Sequence, residues 1–592
     1  MLRIFQTMDT KWLWLIAFAA AAAVVCTGFT LGFFLDDYFL ILMLEGKIPF
    51  GAWYDLYSFG DGNPATAQLN MNVGPFPWFV FPEFRAHFFR PLTCMMMALD
   101  NWVFGRTALL YHVHSLLWYL AGLLAVGLIL RRALPGRLVV LALILFAVDE
   151  GHWGPAVWWS NRNALVAAVP ALYGLWAHMR WREDRWKPGV PLSMLGYALG
   201  LCGGETALSV LAYLAVYELL RPLPDISSRL HGLCNRIFAL FPSFCVGIVY
   251  VLVYKWGKYG AYGSGIYIDP VGNPLELLSL LPERLLLLTT AHFFALPVEL
   301  PGVFPATGLP LILLSIPLVI LLILALRKIW PSLSDQERGS LRWLFGGAVL
   351  SMLPVCCTFP SGRLMLVPSL GGAVAISVVI RAGWNTDLGW RRWLKKLAVV
   401  FIVIHLVLSP LMWPVQTKMI KTLGENTFKE MREMDIHPSL ARDQEVVILN
   451  SGHPFLGAYP MICRAYFELP MPLYIRVLTC VPFDIRVVRT APDTIEVEVI
   501  DGELLTTLFE QLVRDAEHPM RVGEVVEMVG MRVTVLEIGQ QWPKRFSCQF
   551  SHPLDDPRYA FFVADNGKLK RVTLPPMGES IVFPHRITFF EQ

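Results

Sequence analysis

Long apolar runs recur along this chain, and no other feature limits its possible folds as strongly. The first begins after Lys11, reads WLWLIAFAAAAAVVCTGFTLGFF and reaches Phe34. At about 20 residues, it has the length that carries a helix across roughly 30 Å of hydrocarbon. It ends directly in Leu35-Asp36-Asp37-Tyr38, without the small-residue cleavage site and polar stretch that follow a secretory signal, so it predicts a retained signal anchor. Further runs stand near 107–130, 138–148, 164–179, 190–202, 204–220, 237–256, 307–326, 342–357, 364–380 and 397–414, for a total of about eleven spans. A mean hydropathy of +0.52 with only 16% charged residues excludes a water-soluble chain of 592 residues. The net charge of +3, dispersed between apolar runs, excludes a nucleic-acid partner.

The charges between the runs predict the topology. Arg131-Arg132 with Arg137, Arg180 to Lys187, Arg221 to Arg236, Arg327 to Arg342 and Arg381 to Lys396 fall at alternate ends of consecutive spans, so one face holds nearly all the short basic loops. The positive-inside rule makes that face, and the amino terminus with it, cytoplasmic in an inner (cytoplasmic) membrane. The opposite face then receives 35–106, 149–163, 203–205, 255–306, 357–363 and everything beyond about 415. The 35–106 and 255–306 segments are too long and too aromatic for bare loops, and short helices in the interface plane are expected there, with Trp53, Trp78 and Trp102 at headgroup level.

Past Trp413-Pro414 the composition turns polar. TIEVEVI, RVTVLEI and YAFFVA alternate as strands do, and GELLTTLFEQLVRDA is the clearest helix among them. The chain thus divides into a membrane part, 1–429, and a mainly β extracytoplasmic domain, 430–592. The ten cysteines show no metal-finger spacing. Cys463, Cys480 and Cys548 would lie in an oxidising space, where one pair could bridge.

Ionisable groups at the ends of spans are expensive in a membrane and are the first place to seek chemistry. Asp36 and Asp37 end the first span, Asp149, Glu150 and His152 follow the third, and Glu205 interrupts LCGGETALSVLAYL, where it needs a polar cavity or a partner. Arg363 stands in CTFPSGRLMLVPS. A solvated helix end or turn is the plain alternative for the two acidic clusters, and pairing with a lipid phosphate is the alternative for Arg363. For His112 and His114 the better expectation is packing or a hydrogen bond to a neighbouring helix.

The acidic pair after the first span, the segment HFFRPLTCMMMALDNWVFG running into YHVHSLLWYLAGLL, and the loop DEGHWGPAVWWSNRNALVAAVPALYGLWAHM together resemble membrane glycosyltransferases of the GT-C fold. Within that group they are similar to the protein O-mannosyltransferases with transmembrane and tetratricopeptide repeats and to their bacterial relatives. The resemblance covers roughly 12–220, with a weaker echo at FPSGRLMLVPSLGGA, and does not reach the β domain. No tetratricopeptide repeat is visible, and Ala156 or Val157 stands where an acid is expected, with Asp149-Glu150 just upstream.

The resemblance implies transfer of a sugar from a polyprenyl-phosphate donor, at the outer face of the membrane, to an acceptor hydroxyl on a glycan, lipid or protein. A carboxylate must take the acceptor's proton as it attacks, which points to Asp36 or Asp37. The departing phosphate gains charge and needs cations or a divalent metal. Arg90, Arg162 and Arg363 are candidates for the phosphate because a guanidinium fork matches its oxygens. Glu205 is grouped with them at the donor or acceptor. Asp149, Glu150 and His152 are candidate ligands for magnesium or manganese. A transporter or flippase of a lipid-linked glycan is the alternative, but it predicts mid-membrane charges and inverted repeats, whereas these charges gather at one face. A β domain that works alone on a membrane anchor ranks last, because eleven spans far exceed what anchoring needs.

Overall fold

A computed structural model describes all residues except 1–9, 49–51, 222–228, 385–390, 437–440, 453, 509, 567 and 586–592. A helix lies at every apolar run of the sequence. Among the described residues six helices, within Lys11–Thr30, Ala108–Ala133, His231–Trp256, Pro274–Phe294, Pro305–Ser332 and Arg392–Arg432, are long and apolar enough to cross a membrane, and the bent pair Leu138–Ala147 and Glu150–Val157 makes a seventh if it counts as one span. Gly189–Gly203, Thr206–Leu220 and Ser369–Gly383 are apolar but shorter. The chain is therefore a multi-pass membrane protein. Pro274–Phe294, expected as an interfacial segment, meets the length and composition of a span.

Side-chain contacts gather the basic loops on one face of this helical layer. Arg132 pairs with Glu183 (2.6 Å) and Asp184, Arg182 with Glu218 (2.8 Å), and Arg381 with Glu337, while Ser340 donates to the Ala133 carbonyl. The remaining loops meet on the other face. There the Ile268 N–H donates to the Cys357 carbonyl (2.8 Å), and Tyr254 and Arg90 both bond Glu205. A small antiparallel sheet, Ser58–Asp61, Arg85–His87 and Gly260–Tyr262, ties the two long loops of this face together.

The final membrane helix does not stop at the membrane edge. It continues through Ser409–Arg432 and delivers the chain to two sheets. One is antiparallel, in the order 580–583, 485–491, 494–499, 543–550, 531–538, 525–528. Its strand Thr494–Val499 buries every second residue, as TIEVEVI predicts. The other has Glu445–Asn450, buried along its whole length, between parallel neighbours Tyr559–Asp565 and Tyr474–Val477, with Lys568–Val572 at the edge.

The 35–106 segment is built into these sheets. Trp78 is only 2% exposed; its indole donates to the Leu478 carbonyl (2.9 Å) and its ring meets Phe546. It is a core residue, unlike Trp53 and Trp102, which are exposed. Arg514 donates to the carbonyls of Phe79 (2.8 Å) and Val80 (3.1 Å). At Gly74, φ is +115° and a Cβ would lie 2.0 Å from the Ile475 carbonyl oxygen, so only glycine allows this approach.

Two further expectations are corrected here. GELLTTLFEQLVRDA forms only a short helical turn, Glu510–Val513. Asp501 and Leu505 take left-handed backbone angles, and Leu504 and Leu505 are drawn fully into the core, so burial overrides helix propensity. Cys463, Cys480 and Cys548 are all unbridged thiols inside the hydrophobic cores.

Candidate functional site

The site begins with an unusual residue. Leu35 has φ +45° and ψ −112°, and this bend turns the chain from the first span into the helix Asp36–Leu44, placing both aspartates in its first turn. Acids are favoured there by the helix dipole. The two carboxylates then differ completely. Asp37 is 1% exposed; its Oδ2 accepts from the Phe34 N–H (3.0 Å), and its Oδ1 accepts from the N–H (2.9 Å) and hydroxyl of Ser160. Burial pushes its pKa up to about 7. Asp36 is half-buried and receives one hydrogen bond, from the Tyr459 hydroxyl to Oδ1. Burial raises the Asp36 carboxyl, opposed by that hydrogen bond and by the positive charge of Arg363.

Arg363 follows Ser361 and Gly362, whose hydroxyl and N–H both bond Glu299 (2.9 and 2.6 Å). Its guanidinium lies over Trp158 at 5.4 Å and Phe359 at 5.9 Å. It has no hydrogen-bonded partner among the described residues, so its donors remain available to a ligand. Arg90 stands just before Pro91, the first residue of the helix Pro91–Phe104. Its Nε donates to Glu205 (2.9 Å), and its guanidinium rests on Tyr57 (4.5 Å) and Phe88 (4.8 Å). Glu205 also accepts from the Tyr254 hydroxyl (2.9 Å). The partner that its isolation in the sequence demanded is therefore an arginine 115 residues away. Tyr267 is half-buried and lies within electrostatic reach of Arg363, Arg90, Asp36 and Glu205.

Arg162 is not among them. It is 1% exposed, with Nε on Ser115 (2.8 Å) and its two terminal nitrogens on Asp100 and the Tyr111 carbonyl. Asp100, equally buried, also meets His114 (2.5 Å) and Trp159 (3.1 Å). Each nitrogen of the Arg162 fork is engaged, by Ser115, Asp100 or the Tyr111 carbonyl, and the side chain is buried, so it is not open to a lipid phosphate. His112 likewise bonds the Leu31 carbonyl (2.7 Å).

The candidate metal ligands do not converge. Both ring nitrogens of His152 are engaged, by Tyr119 (3.0 Å) and Ser369 (2.8 Å). Asp149 caps its own turn through the Gly151 N–H (2.9 Å) and lies 3.4 Å from His292, and the Glu150 N–H bonds Ser409 (2.7 Å). Among the described residues no three His, Cys, Asp or Glu side chains are arranged to hold a metal. The trio does not fit a magnesium or manganese site, and no step below is routed through one.

Tyr459, Tyr267, Tyr57, Ser160 and Glu299 were not singled out from the sequence. Serines and tyrosines carry no periodicity or motif that marks them, and Glu299 reaches the loop of Arg363 only through the fold.

No protein-family model and no curated protein matches the chain. Among solved structures it is similar to an oligosaccharyltransferase of Archaeoglobus fulgidus tethered to an acceptor peptide containing the NVT sequon (TM-score 0.42, 12% identity, 79% of this chain and 64% of that one). It is also similar to the archaeal oligosaccharyltransferase AglB from Archaeoglobus fulgidus in complex with an inhibitory peptide and a dolichol-phosphate (0.38, 12%, 78% and 64%). A third is ArnT from Cupriavidus metallidurans bound to undecaprenyl phosphate (0.34, 13%, 77% and 85%). The matched region spans just under two thirds of the archaeal chains, and all three are distant likenesses.

Proposed function

We propose that this chain is a membrane glycosyltransferase that moves a sugar from a polyprenyl-phosphate donor to an acceptor hydroxyl, at the extracytoplasmic face of the inner membrane. The observation that carries the reading is the pairing of Asp36, a half-buried carboxylate with a single hydrogen-bond donor, with Arg363, a guanidinium with unspent donors. A donor whose tail stays in lipid presents its anomeric carbon at the interface. The acceptor oxygen attacks that carbon, its proton passes to Asp36, and the bond from the anomeric carbon to the phosphate oxygen breaks, its electron pair leaving with the phosphate. The phosphate gains negative charge in the transition state, and Arg363 is the group that would meet it.

Asp37 serves a different role. Its oxygens are committed to Phe34 and Ser160, so it fixes the turn on which Asp36 stands. Arg90 and Glu205, locked together against Tyr57 and Tyr254, are the proposed wall of the donor or acceptor pocket. A passage for a lipid-linked glycan would instead place unpaired charges across the membrane. The half-exposed acid and the unspent arginine share one face, which favours interfacial chemistry.

The test is a reconstituted transfer assay supplied with polyprenyl-phosphate sugars extracted from cells lacking the protein. Asp36→Asn and Arg363→Gln should each lower transfer by roughly 10²-fold or more while the variants insert and fold. Full transfer by both would sink the proposal.

A further inference from the structure

The helix Asp36–Leu44 is clamped by a piece of the C-terminal region. The short helix Pro460–Tyr466 lies along it: Tyr466 meets Tyr38 at 4.5 Å between ring centroids, and Tyr38 meets Phe428 at the same distance. At the far end, Lys47 reaches Glu468 (2.8 Å), and Arg106, paired with Glu45, donates to the Tyr466 carbonyl (2.9 Å). The residue that opens this clamp is Tyr459. Its hydroxyl reaches Asp36 across 423 positions of sequence, and its side chain is half-buried.

A hydroxyl on one oxygen of a carboxylate has two consequences. It favours the ionised form, because the bond is stronger to a charged acceptor. It also fixes the plane of the group, leaving Oδ2, which has no partner among the described residues, as the oxygen open to a proton.

Resting on Asp36 as the base, we propose that Tyr459 is a positioning residue supplied by the C-terminal region, holding the Asp36 carboxylate by Oδ1 and directing Oδ2 at the acceptor. The membrane part alone then carries an incomplete site, and the sheets following the last span contribute to the chemistry through this contact.

The full-length protein tests this without a substrate. Dicyclohexylcarbodiimide modifies a carboxyl only when it is protonated, and fragment mass spectrometry separates modified Asp36 from modified Asp37. The pH midpoint of Asp36 labelling is measured in lipid nanodiscs for the wild type, for Tyr459→Phe, and for a chain carrying 2,3-difluorotyrosine at 459, a more acidic and stronger donor. Loss of the hydroxyl should move the midpoint up by about one unit, and the stronger donor should move it down. The fluorinated chain preserves shape and keeps the test valid if Tyr459→Phe unfolds. An unchanged midpoint across all three chains, or no labelling of Asp36 at any pH, overturns the proposal. Because transfer is not measured, shifted midpoints alongside an active Asp36→Asn variant would reject Asp36 as the base and leave the contact standing.

Discussion

Arg162 and Arg363 stand in opposite surroundings, and replacing each with glutamine tests the proposed catalytic use of one against the structural use of the other. Arg162 and its partner Asp100 are each 1% exposed. Removing the guanidinium strips Asp100 of the one arginine that bonds it among the described residues and takes a hydrogen bond from the Ser115 hydroxyl and from the Tyr111 carbonyl. His114 and Trp159 still bond the carboxylate, so the loss is partial, and breaking a buried pair of this kind costs about 3–5 kcal/mol. Arg363 loses only its contacts with two ring faces, worth roughly 0.5–1 kcal/mol. The assay is thermal unfolding in nanodiscs, followed by tryptophan fluorescence, run beside sugar transfer. Arg162→Gln should lower the apparent midpoint by roughly 5 °C or more. Arg363→Gln should leave it in place and lower the transfer rate by roughly 10²–10³. Combining Asp100→Asn with Arg162→Gln should cost less than the two single changes added together, by about 1 kcal/mol or more. The reasoning fails if Arg162→Gln keeps the wild-type midpoint, or if Arg363→Gln unfolds as readily as Arg162→Gln.

Three further expectations concern the acids and the join between the two parts. Asp36 must be ionised to accept a proton and burial raises its pKa, so transfer should climb with pH along an acid limb lying above the ordinary carboxylate range; a limb at the ordinary value would argue against this base. Asp37 binds its proton more tightly folded than unfolded, so its contribution to stability is complete below about pH 4 and is lost as the pH rises through about 7. The wild-type unfolding midpoint should therefore fall between about pH 4 and 7 more steeply than that of Asp37→Asn, and parallel curves would contradict the assignment. Trp78→Ala should cost about 3–5 kcal/mol and loosen the 35–106 segment from the sheets, read as faster proteolysis within 64–81, with unchanged cleavage refuting the docking.

The sequence by itself determined the class of this protein. An apolar run of about 20 residues satisfies its own backbone hydrogen bonds as a helix and needs no distant partner, so the helices could be placed from local composition. The basic loops could be sorted by counting charges between them. Alternation marked the strands at 494–499 and 531–538, because one face of each is buried, whereas the strand at 559–565 is buried on both faces over its first five residues. The acidic pair at the end of the first span was visible for the same local reason.

The tertiary structure decided how those groups divide the work. Asp36 and Asp37 are neighbours with the same side chain, and the arrival of Ser160 at one and of Tyr459 at the other sets them apart. Arg162 and Arg363 look alike in sequence, but the first is enclosed by Asp100, Ser115 and Tyr111 and the second is not. Trp78, aromatic beside prolines, had the composition of an interfacial residue until the C-terminal sheets covered it. In each case the deciding contact joins segments far apart along the chain, and what a polar side chain can do depends on which partners reach it, a relation that local composition does not encode.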